Sequence, residues 1–210
     1  MLYSESASPT LINELVPPLE HPWIRNIVLA LAGSMILTIS SKLQIPMYPV
    51  PITMQPFVVL ILGMALGSRL AAATVALYLL EGAMGLAVFA NTPEKGLGIG
   101  YMLGTTGGYL VGFFFAAFLC GKLAEQGWDR SYKKTFLIMT LGLVVIYFFG
   151  VSWLSLQPFP GESVTFGWDR AIKLGLIPFL IGDLIKILSG VLVMPLIWNY
   201  LEKENKNNFE

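Results

Sequence analysis

The stretch Leu180–Gly190, LIGDLIKILSG, places Asp183 and Lys186 inside an otherwise apolar run. Proline suits the first turn of a helix, where its missing N–H goes unused, so Pro178 marks a start for this segment. A helix from there to Trp198 holds about 20 residues and is about 30 Å long, the length of a membrane span. Asp183 then lies about a turn and a half inside one boundary, and Lys186 about one turn deeper. A charge at the centre of a span costs about 2.5–3.5 kcal/mol on insertion scales, so such residues face the interior of a bundle and serve a function. Residues three apart share a helix face and can pair. Two readings follow. One is a structural ion pair that only neutralises itself. The other is a polar clamp, in which the carboxylate accepts two N–H bonds side by side and the ammonium donates to a carbonyl or carboxylate oxygen. A clamp of this kind suits a urea or an amide, or an acid held by the lysine.

Composition extends the membrane reading to the whole chain. Of 210 residues, 55% are hydrophobic and 12% charged, with a mean hydropathy of +0.70. Soluble domains carry about a quarter charged residues, so the solvent of this chain is lipid. The formal net charge is zero and no basic block occurs, which argues against nucleic acid as a partner. Cys120 is the single cysteine and His21 the single histidine, so neither a disulfide framework nor a metal site is expected. The first twenty residues carry Glu5, Glu14 and Glu20 and have no basic start followed by an apolar stretch. They read as a polar or amphipathic lead-in rather than a signal peptide.

Six apolar segments follow one another, with no strong internal repeat. They run from Trp23 to Leu43, Phe57 to Leu66, Leu70 to Leu86, Thr105 to Ala124, Thr135 to Leu156, and Pro178 to about Trp198. The second is short for a full span. In the hydrocarbon core every backbone polar group must be satisfied within the chain, so runs of this length are helices. The expectation is an all-α bundle of six transmembrane helices. Residues 1–22 form a polar N-terminal lead-in, 23–200 a single membrane domain, and 201–210 a polar cytoplasmic tail that frays. IPMYPVPITMQP, with four prolines in twelve residues, is an ordered irregular segment between the first two spans. QGWDRSYKK and QPFPGESVTFGW read as loops. With both termini cytoplasmic, the inner side receives Arg25, Arg69, Lys122, Arg130, Lys133, Lys134, Lys203 and Lys206, and the outer side only Lys42, Lys95, Arg170 and Lys173. Basic residues favour the cytoplasmic side.

Other polar groups fall at the depth of Asp183. Tyr48, Thr53 and Gln55 lie on the proline-stiffened segment, and Asn91 in the long Gly-bearing loop Ala87–Gly104. An asparagine amide both donates and accepts. Thr105, Thr106, Gly107 and Gly108 open the fourth span, where the glycine pair serves either helix packing or close approach to a ligand. Phe89, Tyr109, Trp153 and Trp168 offer flat apolar walls or interfacial anchors. No nucleophile–base pair, acidic cluster or nucleotide-binding motif is present, so nothing points to an enzyme.

The segments VPITMQPFVVLILGMALGSRLAA, GLAVFAN, TTGGYLVGF and GDLIK, in this order and at these intervals, resemble the BioY family, the biotin-binding S components of energy-coupling-factor (ECF) transporters. The resemblance covers nearly the whole chain after Trp23. It implies a six-helix S-component fold, with the vitamin held near the extracytoplasmic side under the first and third connecting loops. It implies a transmembrane coupling subunit and two ABC-type ATPases as partners, a multi-pass position in the cell membrane, and biotin as the transported ligand with no cofactor. The family's asparagine after VFA maps to Asn91, and its GDxxK aspartate and lysine to Asp183 and Lys186, as biotin contacts. Tyr48, Gln55, Thr106 and Tyr109 are further pocket candidates. Several S components carry AxxxA in the first helix for docking on the coupling subunit; the nearest match here is Ala30–Ser34, ALAGS. The family's GPR and GLPVFA turns are GSR and GLAVFA in this chain. Biotin fits the clamp, since its ureido ring carries two N–H donors and one carbonyl and its tail ends in a carboxylate. Competing readings are a biotin carrier working without ATPases, an S component for another vitamin, and a membrane enzyme using Asp183 and Lys186 as acid and base.

Overall fold

A computed structural model describes residues 9–16 and 21–207, with side chains through residue 204. The chain is built from helices, and six of them carry the architecture: α2 (Pro22–Lys42), α3 (Gln55–Leu66), α4 (Ser68–Ala83), α6 (Gly107–Ala124), α7 (Tyr132–Leu156) and α9 (Leu180–Asn207). Three shorter ones decorate it: α1 (Leu11–Leu15), α5 (Gly98–Met102) and α8 (Gly167–Gly175). Among the described residues four segments are long and apolar enough to cross a membrane, namely α2, α6, α7 and the stretch Gly167–Glu204 that contains α9. The apolar helix α3 has 12 residues, about 18 Å of helix, and α4 has 16. A single residue, Gly67, separates these two, and its φ of +81° is a conformation that glycine adopts without steric cost.

α6 forms the centre, packed against α3, α4 and α7, while α2 lies on α4 and α9 lies on α7 and α3. Ala116, Ala117 and Cys120 on α6 are fully buried. The close contact of α6 with α7 depends on Gly108, where a Cβ would stand 2.2 Å from Trp153 Cβ and 2.4 Å from the Phe149 carbonyl oxygen. Of the two uses expected for the glycine pair, Gly108 therefore has helix packing. Outward-facing positions are apolar along whole helices, such as Ile27, Val28, Leu31, Met35 and Ile39 on α2. That pattern suits lipid on one side and protein on the other.

Several local features depart from the sequence reading. Asp183 falls in the first turn of α9, because Pro178 sits in a separate 3-10 turn, Ile177–Phe179, ahead of it. An amphipathic helix, α8, precedes that turn, with Ala171 and Gly175 buried and an exposed Asp169–Lys173 ion pair. The proline-rich segment holds a small antiparallel hairpin, β1 (Gln44–Ile45) and β2 (Ile52–Thr53), in the register Gln44↔Thr53 and Ile45↔Ile52. Helix α9 continues through the polar tail to Asn207 instead of fraying at 201, since a helix already propagating adds residues at little cost. Residues 1–8, 17–20 and 208–210 of the lead-in and tail lie outside the described residues.

The small-residue pair on α2 is corrected at one member. Ser34 is 1% exposed and its hydroxyl donates to the Glu81 carboxylate on α4. A carboxylate half-buried among helices needs a donor, and Ser34 supplies it, so this position packs against α4 and is not a free lateral surface. Ala30, one turn earlier, is half-buried.

Candidate ligand-binding site

The ends of α2, α4 and α7 and the starts of α3, α6 and α9 gather at one end of the bundle, where side chains hold the loops by their backbone carbonyls. Lys42 Nζ donates to the carbonyl oxygens of Phe89 (2.7 Å) and Thr92 (3.1 Å), and Ser41 Oγ to that of Val88 (2.8 Å). Tyr78 OH also reaches the Val88 carbonyl at 3.0 Å. Thr105 Oγ1 donates to the Pro49 carbonyl at 2.9 Å and thereby ties the hairpin to the start of α6. Each bond satisfies a loop carbonyl that no helix or strand partner can reach.

Under this roof lies a narrow cavity. Its walls are aromatic and apolar, with Tyr101, Tyr109, Phe113, Tyr147 and Phe179 among them, and its polar groups are few: Thr53, Gln55, Thr106 and Lys186. Apolar walls with a few convergent polar groups are the usual form of a small-molecule site. Tyr101 stacks on Phe89 with ring centroids 5.0 Å apart, and burial pushes its phenol above the ordinary tyrosine value. It is therefore a neutral hydroxyl at any physiological pH.

Asp183 and Lys186 are 3% and 7% exposed, and Lys186 Nζ donates to Asp183 Oδ1 at 2.9 Å. The other carboxylate oxygen, Oδ2, accepts a hydrogen bond from Tyr147 OH on α7. Tyr147 is the residue that sequence reasoning missed. A hydroxyl in the apolar run VVIYFFG was the available signal, because a buried tyrosine O–H seeks a partner. Lys186 and Tyr147 face the cavity, whereas Asp183 sits behind them on a groove between α7 and α9. Both carboxylate oxygens are thus already engaged by protein donors. Each oxygen retains a second lone pair, so a ligand N–H would join this network or displace a member of it.

The other expected site residues divide. Gln55, Thr106 and Tyr109 line the cavity. Gln55 Nε2 donates to Tyr78 OH at 2.7 Å, and Tyr109 OH to the Gly175 carbonyl at 2.7 Å. Asn91, at a φ of 54°, is beside the cavity-lining Ala90, and its Oδ1 accepts from Gln44 Nε2 at 2.8 Å. Gln44 Oε1 is buried with no partner, an idle acceptor next to Asn91 that the sequence did not advertise. Tyr48 is 54% exposed with its ring 6.5 Å from Phe166, outside the cavity wall.

These features define a multi-pass helical membrane protein with a small, mostly apolar cavity at one end of the bundle, beside a buried ion pair. The chain belongs to the BioY family, whose model matches residues 9–203. It is 36% identical over 170 residues to a biotin transporter BioY of Thermotoga maritima, covering 81% of this chain and 94% of that protein. A probable biotin transporter BioY of Pyrococcus horikoshii is 32% identical over 156 residues, 74% of this chain and 85% of that protein. Among solved structures, the S-component for biotin from an ECF-type ABC transporter shares the fold with a TM-score of 0.66 at 23% identity, over 86% of this chain and 94% of the other.

Proposed function

We propose that this chain captures biotin for uptake across the cell membrane, as the S component of an ECF transporter that also contains a coupling subunit and two ABC-type ATPases. The observation that carries the reading is the buried Asp183–Lys186 pair, backed by Tyr147 and set against a narrow aromatic cavity. The names of the relatives point the same way. Aromatic walls suit the bicyclic ring and aliphatic tail of biotin. Lys186, which faces the cavity, donates to the ureido carbonyl or to the tail carboxylate; Asp183, behind it, accepts from the ureido N–H groups once the ligand joins its network or displaces a member of it, and Tyr147 holds the carboxylate in place. Gln55, Thr106 and Tyr109 shape the pocket. Asn91 stands with Gln44 at its edge, where a loop shift of the kind that often accompanies binding brings its amide to the ligand. Binding of labelled biotin to the purified protein, with other vitamins as competitors, tests the assignment. Displacement by another vitamin at equal concentration would overturn it.

In the same reading α2, α3, α4, α6, α7 and α9 are the six membrane helices, with both termini and the basic Lys122–Lys134 loop in the cytoplasm and the cavity on the outer side. Thr92 is buried, so the outer loop is better probed at exposed Lys95 and the inner one at exposed Ser131. With Cys120 replaced, an impermeant thiol reagent added to intact cells is expected to label a cysteine at position 95 and to spare one at 131. The reverse pattern would invert the topology. In reconstituted vesicles, ATP-dependent biotin uptake is expected only when the coupling subunit and ATPases are added; uptake by the chain alone would favour an independent carrier.

A further inference from the structure

At the opposite end of the bundle lies a second cleft, between α1, α2, the start of α4 and the end of α6. Thr10, Arg25, Arg69, Lys122 and Glu125 bring polar groups to it. Thr10 is 7% exposed, and among the described residues its hydroxyl has no hydrogen-bond partner. Arg25 Nε is also buried without a partner, while Nη2 of the same guanidinium donates to the Ile12 carbonyl (3.0 Å) and to Asn13 Oδ1 (2.9 Å). Among the described residues neither Arg25 nor Arg69 has an ion pair. Buried donors normally find acceptors, and these two stand unpaired in residues that line one cleft.

The acceptor already present is committed elsewhere. Glu125 Oε1 accepts from Ser68 N (2.8 Å) and Ser68 Oγ (2.6 Å), capping α4, and Oε2 pairs with Lys122 at 3.4 Å. Burial pushes its carboxyl up, but the bonds from Ser68 and Lys122 outweigh that and hold it below the usual range. The cleft therefore keeps three cations against one fixed carboxylate. A threonine, two arginines and a lysine lining one space match a phosphate, which accepts from several donors at once. The location adds the rest of the molecule. Exposed apolar residues of α2, Trp23, Ile24, Ile27 and Val28, flank Arg25, and a tryptophan at a span's end marks the headgroup level. Basic pockets between membrane helices at this level bind anionic headgroups.

We propose that this cleft binds the phosphodiester of an anionic phospholipid through Thr10, Arg25, Arg69 and Lys122, with the acyl chains lying along the exposed face of α2. The proposal is independent of what fills the cavity at the other end. It is tested on the full chain in detergent by native mass spectrometry with added phosphatidylglycerol, phosphatidylcholine or inorganic phosphate. One retained phosphatidylglycerol is expected, with affinity about tenfold lower in Arg69→Gln, the worth of one charge-assisted hydrogen bond, and reduced in Thr10→Val. Lys133→Gln, at the same end but outside the cleft, is expected to retain the lipid, and biotin binding should be unchanged in all three. An equal loss in Lys133→Gln would reduce the site to diffuse surface charge. Equal retention of phosphatidylcholine would remove the need for an anionic lipid, and binding of inorganic phosphate as tight as that of the lipid would make it an ion site; either overturns the proposal.

Discussion

Each end of the bundle buries an aspartate, and the two are treated differently. Asp183, at the cavity end, has a cation on one oxygen and a tyrosine hydroxyl on the other. Asp129, at the basic end, is 0% exposed; among the described residues its one side-chain donor is the neutral indole N–H of Trp198, at 2.7 Å on Oδ2, and Oδ1 is buried without a side-chain partner. The neighbouring Arg130 guanidinium stacks 4.1 Å from the Trp198 ring centre and makes no ion pair with Asp129. Burial consequently pushes the Asp129 carboxyl above the ordinary aspartate value, ahead of the opposing effects of Trp198 and Arg130. In the proposed function the cavity end holds a charge for the ligand. The basic end uses its carboxylate as a latch between the α6–α7 loop and the far part of α9. The lesson is that burial alone does not mark a binding site; a fully compensated charge beside an apolar cavity does.

The contrast is broken most severely at Lys186. Lys186→Met leaves Asp183 buried and uncompensated, which costs about 3–5 kcal/mol, and it is expected to abolish biotin binding. Unfolding of the detergent-solubilised variant measures the first effect and ligand titration the second. The counterpart Arg130→Met removes a stacked cation, about 0.5–1 kcal/mol, together with an exposed hydrogen bond to the Pro9 carbonyl, and should leave biotin affinity intact. Equal losses from the two variants would erase the distinction between the ends.

A smaller effect is expected from Asp183→Asn. The amide keeps a polar partner for Lys186, so the protein stays folded, but biotin affinity falls by about 1.5–3 kcal/mol, the worth of hydrogen bonds to a charged group. Unchanged affinity in calorimetric titration would return the pair to a purely structural role.

Tyr147→Phe sharpens the comparison. It leaves Asp183 with Lys186 alone, and affinity is expected to fall by about 1 kcal/mol. The test is whether its effect and that of Asp183→Asn fail to add in a double-mutant cycle, as they must if Tyr147 acts through the carboxylate. Full additivity would separate the tyrosine from the clamp.

The smallest change belongs to Asp129. The folded state binds its proton more tightly than the unfolded chain, so stability falls as pH rises from the ordinary aspartate value through the raised one, and is flat above it. Asp129→Asn is expected to remove that slope, with biotin affinity unaltered. Thermal unfolding from acid to neutral pH reads it; a variant that keeps the wild-type slope would place the titration elsewhere.

The helices were legible because lipid demands long apolar runs, and their ends were read to within a few residues at α2, α6 and α7. Helix α8 was not, since its nine residues carry Asp169, Arg170 and Lys173 and an apolar-run reading passes over a short amphipathic helix. Nor was the hairpin at Gln44–Thr53, whose two-residue strands are too short to show alternation. Of the residues that line the cavity, Gln55 and Thr106 were legible as polar groups near the depth of Asp183, Tyr109 as an aromatic wall and Lys186 as a charge one turn deeper. Tyr48 shared that depth and points away, because depth along a helix or loop does not fix direction around the cavity.

By itself the sequence determined that this chain is a helical membrane protein and that Asp183 and Lys186 stand on one face of one helix. Both follow from local rules: hydrocarbon enforces internal hydrogen bonding, and a period of 3.6 residues brings positions three apart together. Tertiary structure alone decided that Tyr147, 36 residues away, completes the carboxylate's bonding, that Gln44 meets Asn91 across 47, and that Trp198 answers Asp129 across 69. These pairings depend on which faces of α2, α7 and α9 turn inward. That choice is made by the close packing of α6 with α7 around Gly108 and by the loops pinned over the cavity, not by the periodicity of any single segment.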